Sequence, residues 1–116
     1  MWYDFRKLDV WKKSMQMVDM IYKMTQNFPN SEQFWLTSQI RRCAVSIPSN
    51  IAEGNDRNSN KDFSRFLYIS KWSCSELETQ LLIACKQGYI SHENLEIIID
   101  QIIEIRKMLS WLISKL

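Results

Sequence analysis

The chain has 116 residues, 46% hydrophobic and 24% charged, with only two Gly and two Pro. An average chain carries roughly 7% Gly and 5% Pro, and β-sandwiches or barrels need turn residues at almost every strand end, so an all-β fold is excluded and a single all-α domain over residues 1–116 is expected. Fifteen Lys and Arg against thirteen Asp and Glu leave a net charge of +2, short of the strongly basic footprint of a dedicated nucleic-acid binder.

Four helical segments stand out in chain order. The first runs from Asp9, as N-cap, to Asn27, with Trp11, Val18, Ile21, Tyr22 and Thr25 on one face and Phe28-Pro29-Asn30 ending it. The second runs from Thr37 to Gly54, with a core stripe of Ile40, Cys43, Ala44, Ile47 and Ile51; Pro48 falls inside it and predicts a kink or break, because its ring crowds the preceding turn and offers no N–H. After the polar loop at Asn55–Asn58, Ser59 caps a third helix that reaches Gln87 and stops at Gly88. Its stripe is Phe63, Phe66, Leu67, Ser70, Cys74, Leu77, Leu81, Ala84 and Cys85. Ser91 caps the fourth helix, whose seam is Leu95, Ile98, Ile99, Ile102, Ile105, Leu109, Leu112 and Leu116. Short connections favour antiparallel neighbours, so the expected architecture is an up-down-up-down antiparallel four-helix bundle.

The third helix carries more apolar surface than one core needs. Arg65, Ile69, Trp72, Glu76 and Ile83 form a second ridge roughly opposite the first, and on the fourth helix Ile97, Met108 and Trp111 fall outside the core arc. A lone bundle leaves Ile69, Trp72 and Ile83 in water, whereas a closed homo-oligomer covers such ridges. The expected subunit interface is therefore Ile69, Trp72, Glu76 and Ile83, with Trp111, and Arg65 available to pair with Glu76 across it. The second helix bears a polar ridge of Gln39, Arg42, Ser46, Asn50 and Glu53, read either as a solvated face or as a hydrogen-bonded contact.

Catalytic patterns are sparse. His92 is the only histidine and no Glu stands three before it, so the Glu-x-x-His pairs of bundle di-iron sites are missing. Cys74 and Cys85 read as packing residues, and two glycines cannot build a phosphate-cradling loop. No metal, cofactor or small-molecule substrate is expected. A small enzyme built on Asn50, Glu53 and Glu76 would need a deep pocket that brings them together. Basic residues offer phosphate contacts instead: Arg41 and Arg42 on the second helix, and Lys61 and Arg65 at the start of the third, where free N–H groups also attract anions. No apolar run is long enough to span a membrane, and Met1–Asp9 has no apolar leader core. Three cysteines without CxxC spacing suit a reducing, cytoplasmic setting.

The stretch Leu36-Thr37-Ser38-Gln39-Ile40-Arg41-Arg42-Cys43-Ala44-Val45-Ser46-Ile47-Pro48-Ser49-Asn50-Ile51-Ala52-Glu53-Gly54 closely resembles the signature of the 23S rRNA intervening-sequence proteins. Phe5–Trp11, Phe63–Ser70 and Ser75–Leu81 are similar to its other blocks. The resemblance implies a left-handed antiparallel bundle that assembles into a homopentameric ring. It extends to the accessory variability determinant of diversity-generating retroelements, basic pentamers that engage a reverse transcriptase and nucleic acid. No catalytic residues are defined for that family. The implied partners are further copies of the chain and RNA or a nucleoprotein; a protein-binding adapter without nucleic-acid contact is the alternative. Trp72 and Trp35 stand where the family pattern has glycine, and both enlarge the surface near a presumed contact.

Overall fold

The computed structural model describes residues 4–116; residues 1–3, the start of the Met1–Asp9 segment, lie outside it. Its helices are α1 (Asp9–Thr25), α2 (Leu36–Asn55), α3 (Asn60–Lys86) and α4 (His92–Ser114), with single 3₁₀ turns at Phe5–Lys7 and Asn30–Glu32. No strand occurs among the described residues. The serine caps form as expected: Ser59 Oγ accepts from the Asp62 N–H at 3.2 Å and Ser91 Oγ from the Asn94 N–H at 3.1 Å. Gly88 ends α3 at φ +80°, a left-handed conformation that glycine adopts without a Cβ clash. At the start of α1 the cap position falls on Leu8, and Asp9 is the first helical residue.

Cross-helix bonds set the directions. Cys43 Sγ donates to the Ser73 carbonyl and to Glu76 Oε1, and the Ser46 and Ser73 hydroxyls meet at 2.7 Å. Ser70 Oγ donates to the Ile47 carbonyl at 2.9 Å. Residue numbers fall along α3 as they rise along α2, so the two helices are antiparallel. Lys13 pairs with Glu104 at 3.1 Å between α1 and α4, and Arg106 with Glu78 at 3.0 Å between α4 and α3. Each helix packs on its chain neighbours and α4 closes on α1, giving an up-down-up-down bundle of 46 × 24 × 20 Å.

One apolar cluster fills the interior. Ile40, Ile47 and Ile51 of α2, Leu67, Leu77 and Leu81 of α3, and Ile98, Ile102, Ile105 and Leu109 of α4 are fully buried. On α1 the buried face is Val10, Ser14, Met17, Ile21 and Thr25. It is rotated from the expected stripe: Trp11 and Val18 sit on its shoulder and Tyr22 is exposed. Ser14 is tolerated on that face because its hydroxyl donates to the Trp11 carbonyl at 2.8 Å, so a polar residue enters the core with its bond made and without bulk. Phe28 is buried against Tyr89, ring centroids 5.6 Å apart, and plugs one end of the bundle. Leu116, expected in the α4 seam, lies beyond the end of that helix and is exposed. Phe66 is only half-buried, covered by the Arg57 and Arg65 guanidiniums.

Helix α2 runs through Pro48 without a break. The carbonyl that loses its helical donor is that of Ala44, and side-chain bonds to its neighbours hold the helix on either side: Ser46 Oγ to Cys43, Asn50 Nδ2 to Ser46 and Ser70 Oγ to Ile47. Gly54 has a different task from the helix stop expected of it. It is helical and buried, and an added Cβ would lie 2.6 Å from Phe66 Cβ and 3.1 Å from Phe63 Cδ1. The left-handed residue of that turn is Asn58, at φ 55°. Gly54→Ala must push α3 away from α2 and is expected to lower stability by about 1–3 kcal/mol in chemical unfolding, despite alanine's higher helix propensity; an unchanged midpoint would show that the α2–α3 approach is not tight.

Candidate functional site

Three surfaces hold the residues singled out by sequence. The first is the outer face of α3. Trp72 is 65% exposed and Ile83 is also exposed, while Ile69 is half-buried and so less open than expected. Tyr68, one turn before Trp72, joins it with ring centroids 6.3 Å apart. Periodicity alone did not single out Tyr68, although its i,i+4 spacing from Trp72 is the usable signal. Arg65 pairs with Asp62 at 3.5 Å, and Glu76 accepts the Cys43 Sγ–H at 3.3 Å. Both remain exposed beside the ridge.

The second surface is a groove of about 500 Å³ between the leading turn and the end of α4, lined by Leu8, Val10, Met108, Trp111 and Leu112, with Lys7 and Lys107 at its rim. Trp111 is 63% exposed there, with Lys115 Nζ 5.4 Å from its ring. The groove lies where α1 meets α4, on a different side of the bundle from the outer face of α3.

The third surface is polar and basic, and its residues divide. Arg41 turns inward: its Nε donates to Thr25 Oγ1 at 2.8 Å, its Nη2 to the Tyr22 carbonyl at 3.4 Å, and its guanidinium lies 4.7 Å from the Tyr22 ring. A cation at the negative end of α1 is thereby stabilised. Arg42 and Lys61 are exposed. Lys61 and Arg65 open α3 at the far end of the α2–α3 hairpin, roughly 20 Å along the axis from Arg41 and Arg42 at ~1.5 Å per residue. The four cations do not converge. On the polar ridge, Ser46 and Asn50 are half-buried and bonded within the α2–α3 pair, Glu53 pairs with Arg57 at 3.0 Å, and Gln39 and Arg42 face outward. Asn50, Glu53 and Glu76 serve different partners, and none of the three lines any of the four main depressions among the described residues.

The two most exposed aromatics among the described residues escaped periodicity. Phe34 is 80% exposed and Trp35 is 72% exposed, at the end of the α1–α2 connection. They belong to no helical stripe: Trp35 is marked only by its departure from the glycine of the family pattern, and Phe34 only by standing beside it. Among the described residues no group of three His, Cys, Asp or Glu side chains is placed to hold a metal, and no helix is long and apolar enough to cross a membrane.

The family model of the 23S rRNA-intervening sequence protein matches residues 6–111. No curated protein matches the chain. Among solved structures, the chain is similar to a protein of unknown function from the S23 ribosomal protein family of Bacteroides thetaiotaomicron. The TM-score is 0.84 at 30% identity, covering 90% of this chain and 95% of that one.

The cysteines give a direct check on the packing. Burial pushes the Cys43 thiol up to about 12, helped by the Glu76 carboxylate, and the Cys74 thiol up to about 11, while Cys85 is half-buried with its Sγ 3.7 Å from His92 Nδ1. Titration of the native protein with a disulfide reagent near pH 8 is expected to modify Cys85 quickly and Cys43 and Cys74 only on unfolding. The folded chain holds two protons that the unfolded thiols release near their ordinary value of 9.0. Stability is therefore full below that pH and falls as pH rises from about 9 through about 11 for Cys74 and about 12 for Cys43. Three equally fast thiols would contradict the buried placement.

Proposed function

The chain belongs to the 23S rRNA-intervening sequence protein family, and on that footing we propose that it is a non-enzymatic, cytoplasmic assembly module. Its copies close into a ring, a homopentamer by the family resemblance, which presents one surface repeatedly to RNA or a nucleoprotein partner. The observation that carries the reading is the outer face of α3, where Trp72 stands 65% exposed beside Tyr68 on the side away from the core. A buried Trp removes roughly 150–250 Å² from water, so covering its exposed part stabilises by on the order of 2–4 kcal/mol per copy at about 25 cal/mol per Å².

A cyclic ring larger than a dimer needs two different patches on each subunit, one fitting the other on the next copy. The molecule offers such a pair in the α3 ridge and the Trp111 groove, whose apolar lining runs along Leu8, Met108 and Leu112. Repetition around the ring also multiplies modest cationic patches. Arg42, Lys61 and Arg65 on one subunit give little field, but phosphate contacts add through counterion release when several copies engage one RNA. The near-neutral charge of +2 favours, as second reading, an adapter that binds protein alone.

Two measurements test the proposal. The thermal midpoint of the unaltered protein is expected to rise with protein concentration, as it does when folding is linked to assembly, and Trp72→Glu is expected to abolish that dependence. Titration with a structured RNA is expected to show binding at about 50 mM salt that weakens steeply by about 200 mM. Concentration-independent unfolding of the unaltered protein would overturn the ring, and no binding at the lower salt would leave only the adapter.

A further inference from the structure

We propose that the beginning of α2 is a binding site for single-stranded RNA, with Phe34 and Trp35 as the stacking platform and Arg42 on the phosphate. The inference rests on the RNA half of the proposed function and gives it a place and a strand preference.

Exposed aromatics come first. Phe34 and Trp35 are 80% and 72% exposed and adjacent in the chain, and Phe34 lines a depression of about 620 Å³. That depression is lined by Tyr22, Gln33, Phe34, Thr37, Ser38, Arg41, Arg42, Val45 and Ser46, which include two arginines and no acid. Unpaired bases stack on aromatic faces and their phosphates seek nearby cations, whereas bases in a duplex are already stacked on one another. An apolar protein surface would match the rings but not the arginines.

The helix start adds a fitting charge. The first turns of α3 and α4 carry Asp62 and Glu93 behind serine caps, but α2 has neither an acidic residue in its first turn nor a side-chain cap. Its positive pole faces the Glu32 carboxylate, which accepts the Leu36 N–H at a long 3.5 Å from outside the first turn. Glu32 also accepts the Tyr89 hydroxyl at 3.0 Å, which holds it outside the depression. Thr37 points to a missing partner: it lines the depression, is only 6% exposed, and its hydroxyl makes no hydrogen bond. Arg41 already has Thr25 and Tyr22 as partners, which leaves the exposed Arg42 as the phosphate contact.

The test uses the full chain and a fluorescein-labelled twelve-nucleotide oligouridylate, with an RNA duplex of the same length as competitor. Fluorescence anisotropy is expected to show tighter binding of the single strand. Phe34→Ala with Trp35→Ala is expected to weaken it by roughly tenfold to a hundredfold, and Arg42→Gln to reduce the slope of log affinity against log salt by about 0.7. Both rings are solvent-exposed, so circular dichroism should confirm an unchanged fold. If the unaltered protein binds RNA but the aromatic variant binds as well, or the duplex binds equally, this site is wrong while RNA binding stands. Failure of any RNA to bind the unaltered protein at about 50 mM salt removes both readings. A fall in assembly mass in the aromatic variant would make the patch a subunit contact and overturn the site.

Discussion

A helix that packs on one core can keep a single apolar stripe and give its remaining circumference to water. Helix α3 does not follow this division. Leu67, Cys74, Leu77 and Leu81 fill the bundle interior, and on the opposite side Tyr68 and Trp72 stack in the open with Ile83 further along. The first set holds the monomer together and the second has nothing in the monomer to hold. Indole left in water gains none of the burial energy that makes it useful in a fold, so the outer face of α3 sets the demand that assembly would meet.

The inner side of the same helix is held unusually close to α2. Gly54 lets Phe63 and Phe66 approach the α2 backbone, and small polar residues continue the contact along the pair. Ser70 donates to the Ile47 carbonyl, Ser46 meets Ser73, and the Cys43 thiol reaches the Ser73 carbonyl and Glu76. These bonds flank Pro48, and the helix stays continuous where a proline would otherwise disrupt it. The α2–α3 pair thus carries Trp72 on its outer side and has the exposed Phe34 and Trp35 just ahead of α2.

Most of the fold was legible because its signals are local and repetitive. The isoleucine and leucine stripes of α2, α3 and α4, the caps at Ser59 and Ser91 and the stop at Gly88 each follow from residue type and spacing. Two features were not local. The core face of α1 includes Ser14, a polar residue whose burial depends on a bond to its own backbone, and Gly54 serves a neighbouring helix rather than a helix end. The candidate sites divide along the same line. Trp72 and Trp111 were visible as residues out of phase with a core, whereas the inward turn of Arg41 onto Thr25 and Tyr22 depends on how α1 ends beside α2. Phe34 and Trp35 sit in a connection, where periodicity carries no information.

Whether the outer face of α3 is shared between copies is the question on which the functional reading turns. Sedimentation of the unaltered chain at micromolar concentration answers it most directly. A species whose mass is a whole multiple of 13.9 kDa, five by the family resemblance, is expected, with the Trp72 indole shielded from an aqueous quencher. A stable species of 13.9 kDa with that indole fully open to the quencher would contradict it.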